Sequence, residues 1–322
     1  MDKKRALLII NPISGTSNKK GLDDKVRNAL ADKGVDVDVA WTKAAGDATN
    51  MAREAAASGY DMVIAAGGDG TINETATALC NTGVTLGIIP CGSGNGLARH
   101  LNIPVDVNSA IEIIADGKFE VCDYGEVNQR PFFCTFGTGF DAAVSHKFAQ
   151  SKTRGKGTYI RNTLQEYMHY QPEEYVIKAN GEVITERAFC VAVCNASQYG
   201  NNAYIAPHAS ISDGLLDVTI VHYGNILTTA LVGLDLMLGS IEKNMLIHTF
   251  RADQLTISRK SPGPAHIDGE PLILEADLDI KCHEHALSIF TPGCDKPVRP
   301  LLTPMMSLMN GLGLTLRSLF KK

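Results

Sequence analysis

The sequence lacks a long hydrophobic run, an excess of positive charge and paired cysteines. No apolar run approaches the ~20 residues of a membrane-spanning helix. The formal net charge of −5 argues against a general nucleic-acid binder, which usually has a basic face. None of the eight cysteines forms a Cys-x-x-Cys pair, so we expect buried, reduced thiols rather than disulfides or zinc ligands.

Two common nucleotide motifs and an export segment are also missing. There is neither a Walker A loop, Gly-x-x-x-x-Gly-Lys-Ser/Thr, nor a Gly-x-Gly-x-x-Gly dinucleotide fingerprint. Lys3, Lys4 and Arg5 precede an apolar run of only about five residues that ends at Asn11, which is too short for a signal peptide. We therefore expect a cytoplasmic protein that meets any membrane from outside.

The chain is long and apolar enough for two domains, with 322 residues of which 44% are hydrophobic. Strand and helix patterns alternate over residues 1–118, which predicts a Rossmann-like α/β domain. Residues 119–293 contain many short strand patterns and two helical interruptions, at 141–170 and 226–245. The strand patterns lie at 119–127, 131–136, 175–179, 183–193, 216–223, 254–258, 272–274, 278–282 and 286–290. They predict a mostly antiparallel β-sandwich. Residues 294–322 form a methionine-rich apolar tail, expected to return to the first domain and, in its last turns, to contact a membrane.

The stretch from Tyr60 to Leu97 organises the chain. Residues 62–66 are a continuous apolar run, typical of a strand buried on both faces, and two glycines end it. Thr71 and Glu74 have the spacing of a capping box, which predicts a helix start with anion-attracting N–H groups. Asp69 is an acidic side chain at this anion site, and a shared Mg²⁺ would reconcile it with phosphate.

A second loop of the same kind follows the next strand pattern, at residues 84–89. Pro90 ends that pattern, and Gly92, Ser93, Gly94 and Gly96 make the following segment permissive before a helix around Leu97. Two such loops side by side would enclose a polyphosphate. The alternative is two ordinary strand-to-helix turns without chemistry.

The two loops together resemble a known family. Gly-Gly-Asp-Gly-Thr-Ile-Asn-Glu at 67–74, followed by Pro-Cys-Gly-Ser-Gly-Asn at 90–95, is similar to the catalytic domain of the diacylglycerol kinase and sphingosine kinase family of lipid kinases. The first motif also suits NAD kinases, but the Asn-x-Gly-x-Leu-Gly-Phe segment usual in those enzymes is absent. The resemblance implies an NAD kinase/diacylglycerol kinase-like α/β domain, a β-sandwich and the use of ATP and Mg²⁺.

The resemblance also assigns residues to the nucleotide. It extends to the Asn-Pro-x-Ser-Gly segment after the first strand pattern and to a threonine at the end of the second; for both, a plain turn is the alternative. Asp69 is in addition the expected Mg²⁺ ligand. The residues implied at the nucleotide are Asn11, Ser14, Gly15, Thr16, Thr42, Gly67, Gly68, Asp69, Gly70, Thr71, Ile72, Asn73, Gly92, Ser93, Gly94 and Asn95.

Two acidic turns in the second domain match further family segments. In the first, the resemblance implies a structural metal bound by Asp213 with oxygens of Ser210 and Leu215, although an Asp-Gly turn is usually only a turn. The second is Asp268-Gly269-Glu270. Phosphoryl transfer to an alcohol needs a carboxylate that orients the hydroxyl and takes its proton. Glu270 is the first choice for that acceptor, with Asp268 holding hydroxyl or metal; an ordinary hairpin is the alternative.

Together these patterns predict an ATP-dependent lipid kinase that phosphorylates the hydroxyl of a membrane lipid of the diacylglycerol, sphingoid base or ceramide type. We expect it at the inner face of the membrane, without a nucleic-acid partner, and leave a homodimer open. One alternative is a soluble small-molecule kinase of the NAD kinase type. Another is a nucleotide-binding regulator without catalysis.

Overall fold

A computed structural model of the chain describes residues 3–15, 19–149 and 170–293. Thr16 and the tail at 294–322 lie outside the described residues, as does most of the helical interruption predicted after Asp141. The first half is a parallel sheet with helices on both faces. Its elements are β1 (Lys4–Ile10), α1 (Leu22–Ala31), β2 (Val35–Trp41), α2 (Asp47–Ala57), β3 (Met62–Gly67), α3 (Asp69–Leu79), β4 (Thr85–Pro90), α4 (Gly96–His100) and α5 (Val107–Asp116).

The parallel strands lie in the order β2-β1-β3-β4. β3 is buried at every position, as its apolar run predicts. β2 has only one buried residue, Val35, and lies at the end of the sheet, which fits its alternating valines and aspartates. Helices α1 and α5 cover one face, and α2, α3 and α4 cover the other. The predicted layered α/β architecture is confirmed.

The second half is built mainly from antiparallel strands. No helix in the described ranges is long and apolar enough to cross a membrane. The elements are β5 (Phe119–Val127), β6 (Arg130–Phe132), β7 (Thr135–Gly139), α6 (Phe140–Ala149), β8 (Glu173–Ala179), β9 (Glu182–Cys194), β10 (Leu216–His222), α7 (Ile226–Leu238), a 3-10 helix (Ile241–Lys243), β11 (Ile247–Ala252), β12 (Gln254–Arg259), β13 (Gly263–Ile267), β14 (Glu270–Leu274) and β15 (Asp277–Phe290).

Strand β15 joins the two halves. Its first residues pair antiparallel with β12, and its later residues pair with β5. Near its end, Ile289 pairs in parallel with Leu86 of β4. One sheet therefore runs through both halves, and the domain boundary at residue 118 stays a prediction.

Three local predictions are wrong. The sequence patterns at 278–282 and 286–290 are a single strand, β15, with a shift of register between His283 and Leu287. β11 and β13 were not predicted, because β11 is only half-buried and β13 begins with Gly-Pro. Helix α3 begins at Asp69, two residues before the predicted start at Thr71.

Glu74 explains the misplaced start of α3. Its Oε1 accepts a hydrogen bond from the Gly46 N–H at 2.9 Å, and its Oε2 accepts one from the Ala48 N–H at 3.2 Å. The carboxylate therefore caps the first turn of α2, where negative charge is favourable. The glutamate of the Thr-x-x-Glu spacing therefore bonds α2 rather than its own helix, and α3 has no capping box.

Candidate active site

A cleft of about 660 Å³ opens where β1, β2 and β3 end. In open α/β sheets, ligands bind outside the carboxyl ends of the strands, and the volume is typical of a small-molecule site. The hairpin between β13 and β14 forms the opposite wall. The lining residues are Asn11, Pro12, Ile13, Thr42, Lys43, Ala44, Ala45, Ala48, Gly70, Thr71, Asn73, Glu74, Ile267, Asp268 and Glu270.

The hairpin turns within two residues. Ile267 pairs with Glu270, so only Asp268 and Gly269 lie in the loop. Their φ angles are 49° and 85°, and positive values at both central positions are those of a type I′ turn, for which Asp-Gly is a preferred pair. The acidic turn Asp268-Gly269-Glu270 and the hairpin given as its alternative are therefore the same feature. Both acidic residues line the cleft.

The carboxylate of Asp268 is fully hydrogen-bonded. Oδ1 accepts from the N–H groups of Cys134 and Thr135 at 2.8 and 2.9 Å. Oδ2 accepts from the N–H of Phe133 at 2.9 Å and from Nδ2 of Asn73 at 2.8 Å. A carboxylate has about four acceptor positions, so all are used. Asp268 thereby fixes the hairpin to the start of β7 and, through Asn73, to α3.

Glu270 has the opposite character. Its side chain is exposed, and it makes no hydrogen bond or ion pair within the described ranges. It faces the first turn of α3, because a Cβ placed on Gly70 would lie 3.4 Å from Glu270 Oε1. The hairpin therefore presents one unengaged carboxylate to the N-terminus of a helix across the cleft.

Side chains at the ends of β1 and β3 are held in place by each other. Asn11 Nδ2 donates to Thr71 Oγ1 at 2.9 Å, and the Asn11 N–H donates to the Ala66 carbonyl at 3.0 Å. Gly67 lies directly under this contact, since a Cβ there would overlap the side chain of Thr71. The first glycine of the Gly-Gly-Asp-Gly-Thr motif is thus required for Thr71 to reach Asn11.

The two glycine loops pack against each other, backbone to backbone. A Cβ on Gly92 would lie 2.7 Å from Gly68 Cα. Gly15, which has a φ of +63°, lies so close to the Cys91 carbonyl that any Cβ would overlap it. The second loop therefore lies behind the first, and none of residues 92–95 lines the cleft.

Asp69 connects these two loops. Its Oδ2 accepts from the Asn95 N–H at 2.8 Å, and its Oδ1 accepts from the Gly96 N–H at 2.7 Å. Burial raises the pKa of Asp69, and these two hydrogen bonds oppose the shift. The acidic side chain thus serves the first turn of α4, an explanation for its position that needs no metal.

The predicted nucleotide residues separate into two groups. Asn11, Thr42, Gly70, Thr71 and Asn73 line the cleft. The others in the described ranges lie outside its lining, and Ile72 is packed in the core at 2% exposure.

Sequence reasoning missed Lys43, a cation in the lining of the cleft. Its position directly after Thr42, at the end of β2, was the available signal.

The other acidic turn contains no comparable site. Asp213 Oδ2 lies 3.3 Å from Nη1 of Arg251, and its Oδ1 accepts from the Leu215 N–H at 3.3 Å. Ser210 Oγ accepts from the N–H of Ser212 at 3.4 Å. No group of three or more His, Cys, Asp or Glu side chains that could hold a metal occurs in the part of the chain that the structure describes. The structural metal stays a prediction.

A buried polar cluster supports the hairpin from behind. His266, which is 2% exposed, has its Nε2 3.1 Å from Asp141 Oδ2. The Tyr199 hydroxyl donates to the same oxygen at 2.9 Å, and burial raises the pKa of Tyr199. His266 lies near the end of β13, and this contact fixes the strand two residues before Asp268.

Comparison with known proteins agrees with this architecture. The family described as "Diacylglycerol kinase catalytic domain" matches residues 5–127, and the "YegS C-terminal NAD kinase beta sandwich-like domain" matches residues 134–291. The diacylglycerol kinase of Bacillus subtilis (strain 168) is 30% identical over 273 residues, which are 83% of this chain and 90% of that protein. The chain belongs to the diacylglycerol kinase family of lipid kinases.

Two further relatives extend over nearly the whole lipid kinase. A protein of Pseudomonas savastanoi pv. phaseolicola named "Probable lipid kinase YegS-like" is 30% identical over 305 residues, covering 92% of this chain and 96% of its own. The crystal structure of a diacylglycerol kinase from Bacillus anthracis str. Sterne superposes with a TM-score of 0.70 at 21% identity, over 90% and 98% of the two chains. The resemblance and the predicted fold class are confirmed.

Proposed function

We propose that this lipid kinase transfers the γ-phosphate of ATP to the hydroxyl of a membrane lipid, with Glu270 as the proton acceptor. The observation that carries the proposal is the contrast within one hairpin. The carboxylate of Asp268 is fully bonded, whereas that of Glu270 has no partner among the described residues and faces Gly70 across a cleft of about 660 Å³. Proton transfer requires an available acceptor.

The reaction needs positioning more than covalent chemistry. The lipid hydroxyl oxygen forms a bond to the γ-phosphorus, the bond to the β,γ-bridging oxygen breaks, ADP leaves, and the hydroxyl proton passes to Glu270. Asp268 acts as a positioning residue, since its four hydrogen bonds leave no acceptor for a hydroxyl. The first turn of α3 and Lys43 line the cleft, and in this proposal they neutralise phosphate charge.

The residues present fit Mg²⁺ in its usual mode of binding. This ion keeps several waters and commonly takes one or two carboxylates together with substrate phosphates. Asp69, which has one remaining acceptor position on each oxygen, is the carboxylate that would hold it, and Glu270 stays available for the proton. Bound there, Mg²⁺ would supply charge neutralisation of the triphosphate.

Diacylglycerol is the lipid that we propose first. The Bacillus subtilis relative carries that substrate in its name, and sphingoid bases and ceramides are the other members of the predicted class. We place the enzyme on the cytoplasmic face of a membrane, as a peripheral protein. The proposal that Asp213, Ser210 and Leu215 hold a structural metal is separate from this site.

The test is phosphate transfer from γ-labelled ATP to a panel of lipids in mixed micelles, with NAD as a parallel acceptor. We expect labelled phosphate on diacylglycerol or another hydroxyl lipid, and none on NAD. Labelled NADP as the only product would favour the soluble-kinase alternative. Tight ATP binding without any labelled product would favour the regulator and would overturn the proposal.

A further inference from the structure

Helix α7 turns its apolar side chains toward solvent. From Leu227 to Leu238, every exposed position holds an apolar residue or glycine. Leu227, Leu231, Leu234 and Met237 are 74%, 55%, 44% and 51% exposed. Their spacing of four, three and three residues places them on one face. This stripe is unusual, because a surface helix normally turns charged and polar residues outward.

The polar groups of α7 are instead bonded within the protein. Asn225 Oδ1 accepts from the N–H groups of Leu227 and Thr228, and the Thr228 hydroxyl donates to the Asn225 carbonyl. Asp235 is the one charged residue of the helix. Its Oδ1 accepts from Ser240 Oγ at 3.0 Å, and its Oδ2 accepts from Asn244 Nδ2 at 2.7 Å. The outer face of α7 therefore carries no charge.

The inner face of α7 holds the helix in place. Val232 is 6% exposed and packs with Phe189 and Val221 of the underlying sheet. Leu236 packs against the same cluster, and its carbonyl accepts the N–H of Tyr204 at 2.8 Å. The helix is thus fixed on the β9–β10 face while its leucine stripe points away.

A line of aromatic rings leads from this helix toward the catalytic hairpin. The ring of Tyr223 lies 6.0 Å from that of Phe189, which stacks at 4.2 Å on Phe140. The next residue, Asp141, bonds His266 behind the hairpin. The segment that leads into α7 is therefore linked by packed side chains to the wall that carries Glu270.

A second copy of the chain is a poor occupant of this stripe. A stable protein interface usually engages about 20–30 residues on each side. The stripe offers four residues, extended by Tyr223 at 52% and Met245 at 90% exposure. Helix α7 has 13 residues, so at about 1.5 Å per residue it is ~20 Å long. It is too short to cross a ~30 Å hydrocarbon layer. A small, uncharged, exposed apolar face of this length suits contact with a lipid surface.

We propose that the outer face of α7 inserts into the surface of the lipid aggregate that contains the substrate. Leu227, Leu231, Leu234 and Met237 enter the acyl region, and Tyr223 and Lys243, both exposed, lie at the headgroup level, where such residues are favoured. The proposal rests on the proposed lipid kinase function and adds the surface by which the enzyme reaches its substrate.

Vesicle co-sedimentation tests the surface directly. The variant Leu231→Ser/Leu234→Ser removes two exposed leucines, and the control Val105→Ser/Val183→Ser removes two exposed valines elsewhere, at 50% and 64% exposure. With vesicles of phosphatidylcholine and diacylglycerol, we expect the α7 variant to bind at least ~10-fold more weakly and the control to bind as the native chain does. Equal binding of all three proteins would overturn the proposal.

Activity separates this proposal from the proposed function. With a short-chain, monomeric diacylglycerol, we expect the α7 variant to keep the native kcat/KM, and with vesicle-embedded diacylglycerol to lose ~10-fold or more. Activity lost equally on both substrates would refute a role limited to the interface. If the native protein phosphorylated neither lipid, the kinase proposal itself would fail, whatever the vesicle binding showed.

Tryptophan emission tests the proposal even if the serine variant folds poorly. It also distinguishes insertion into lipid from dimer formation. The chain has one tryptophan, so Trp41→Phe/Leu231→Trp reports on α7 alone. We expect its emission to shift to the blue on addition of vesicles and to be quenched by brominated lipids. Unchanged emission with vesicles, together with a dimer in sedimentation that Leu231→Ser/Leu234→Ser dissociates, would assign the stripe to a second copy instead.

Discussion

The two walls of the cleft use their polar side chains differently. On the sheet wall, Asn11 and Glu74 each bond a neighbouring loop or helix start, and Asp69, outside the cleft lining, does the same. On the hairpin wall, Asp268 is fully bonded, but Glu270, two residues away, makes no bond to any residue that the structure describes. An acidic residue in a motif whose oxygens are already hydrogen-bonded therefore holds the backbone, and one whose oxygens are free is available for chemistry. The following predictions test that division.

Removing the unengaged carboxylate should have the largest effect. We expect Glu270→Gln to lower kcat by about 10²–10⁴-fold, the usual contribution of a general base, while the affinity for ATP and the melting temperature stay unchanged. Glu275→Gln, at the far end of the same strand pair and also exposed, is the matched control and should be fully active. Native kcat in Glu270→Gln would refute the assignment.

Changing the bonded carboxylate should act on stability first. Asp268→Asn replaces an acceptor of four hydrogen bonds by a group with a single acceptor oxygen, which leaves partners unpaired. We expect the free energy of unfolding to fall by about 3 kcal/mol, measured in urea, with a smaller loss of kcat than in Glu270→Gln. Asp279→Asn, at an exposed position of β15, is the control and should leave the free energy of unfolding unchanged. An unchanged urea midpoint in Asp268→Asn would refute the structural role of Asp268.

The contact between the end of α4 and Ser197 should weaken in acid through His100. Its Nδ1 accepts the Ser197 N–H at 3.1 Å, and burial lowers its pKa to about 4. The unfolded state, with a pKa near 6.5, then binds more protons between pH 6.5 and 4. Stability is therefore lost as the pH falls through that window, by roughly 2 kcal/mol. Urea unfolding at pH 7, 5.5 and 4.5 measures it. His100→Gln should lack this part of the pH dependence. Equal slopes of unfolding free energy against pH in the variant and the native chain would contradict the assignment to His100.

The acidic turn at Asp213 should matter least. Asp213 and Arg251 form a partly exposed ion pair at 3.3 Å, and such pairs contribute about 0–1 kcal/mol. We expect Asp213→Asn to change the melting temperature little in the absence of added metal. If the turn does hold a structural metal, added Mg²⁺ should raise the melting temperature of the native chain and not that of the variant.

Sequence reasoning worked where local chemistry determines structure. The run at 62–66 predicted β3 because a strand buried on both faces is apolar throughout. Asp-Gly at 268–269 predicted the tight turn, since both residues tolerate positive φ.

It failed where contacts join distant residues. Asp268 bonds N–H groups about 135 positions earlier in the chain, so its engagement has no local signal. Glu74 was assigned to the start of its own helix but caps α2. β13 was hidden by its glycine and proline, which strand patterns exclude.

The central claim is that Glu270 shares the cleft with the terminal phosphate of a nucleotide. A crystal structure with a non-hydrolysable ATP analogue and Mg²⁺ tests it most directly. We predict the triphosphate beside Gly70 and Thr71, with its terminal phosphate facing Glu270. A nucleotide bound elsewhere, with this cleft empty, would contradict the account.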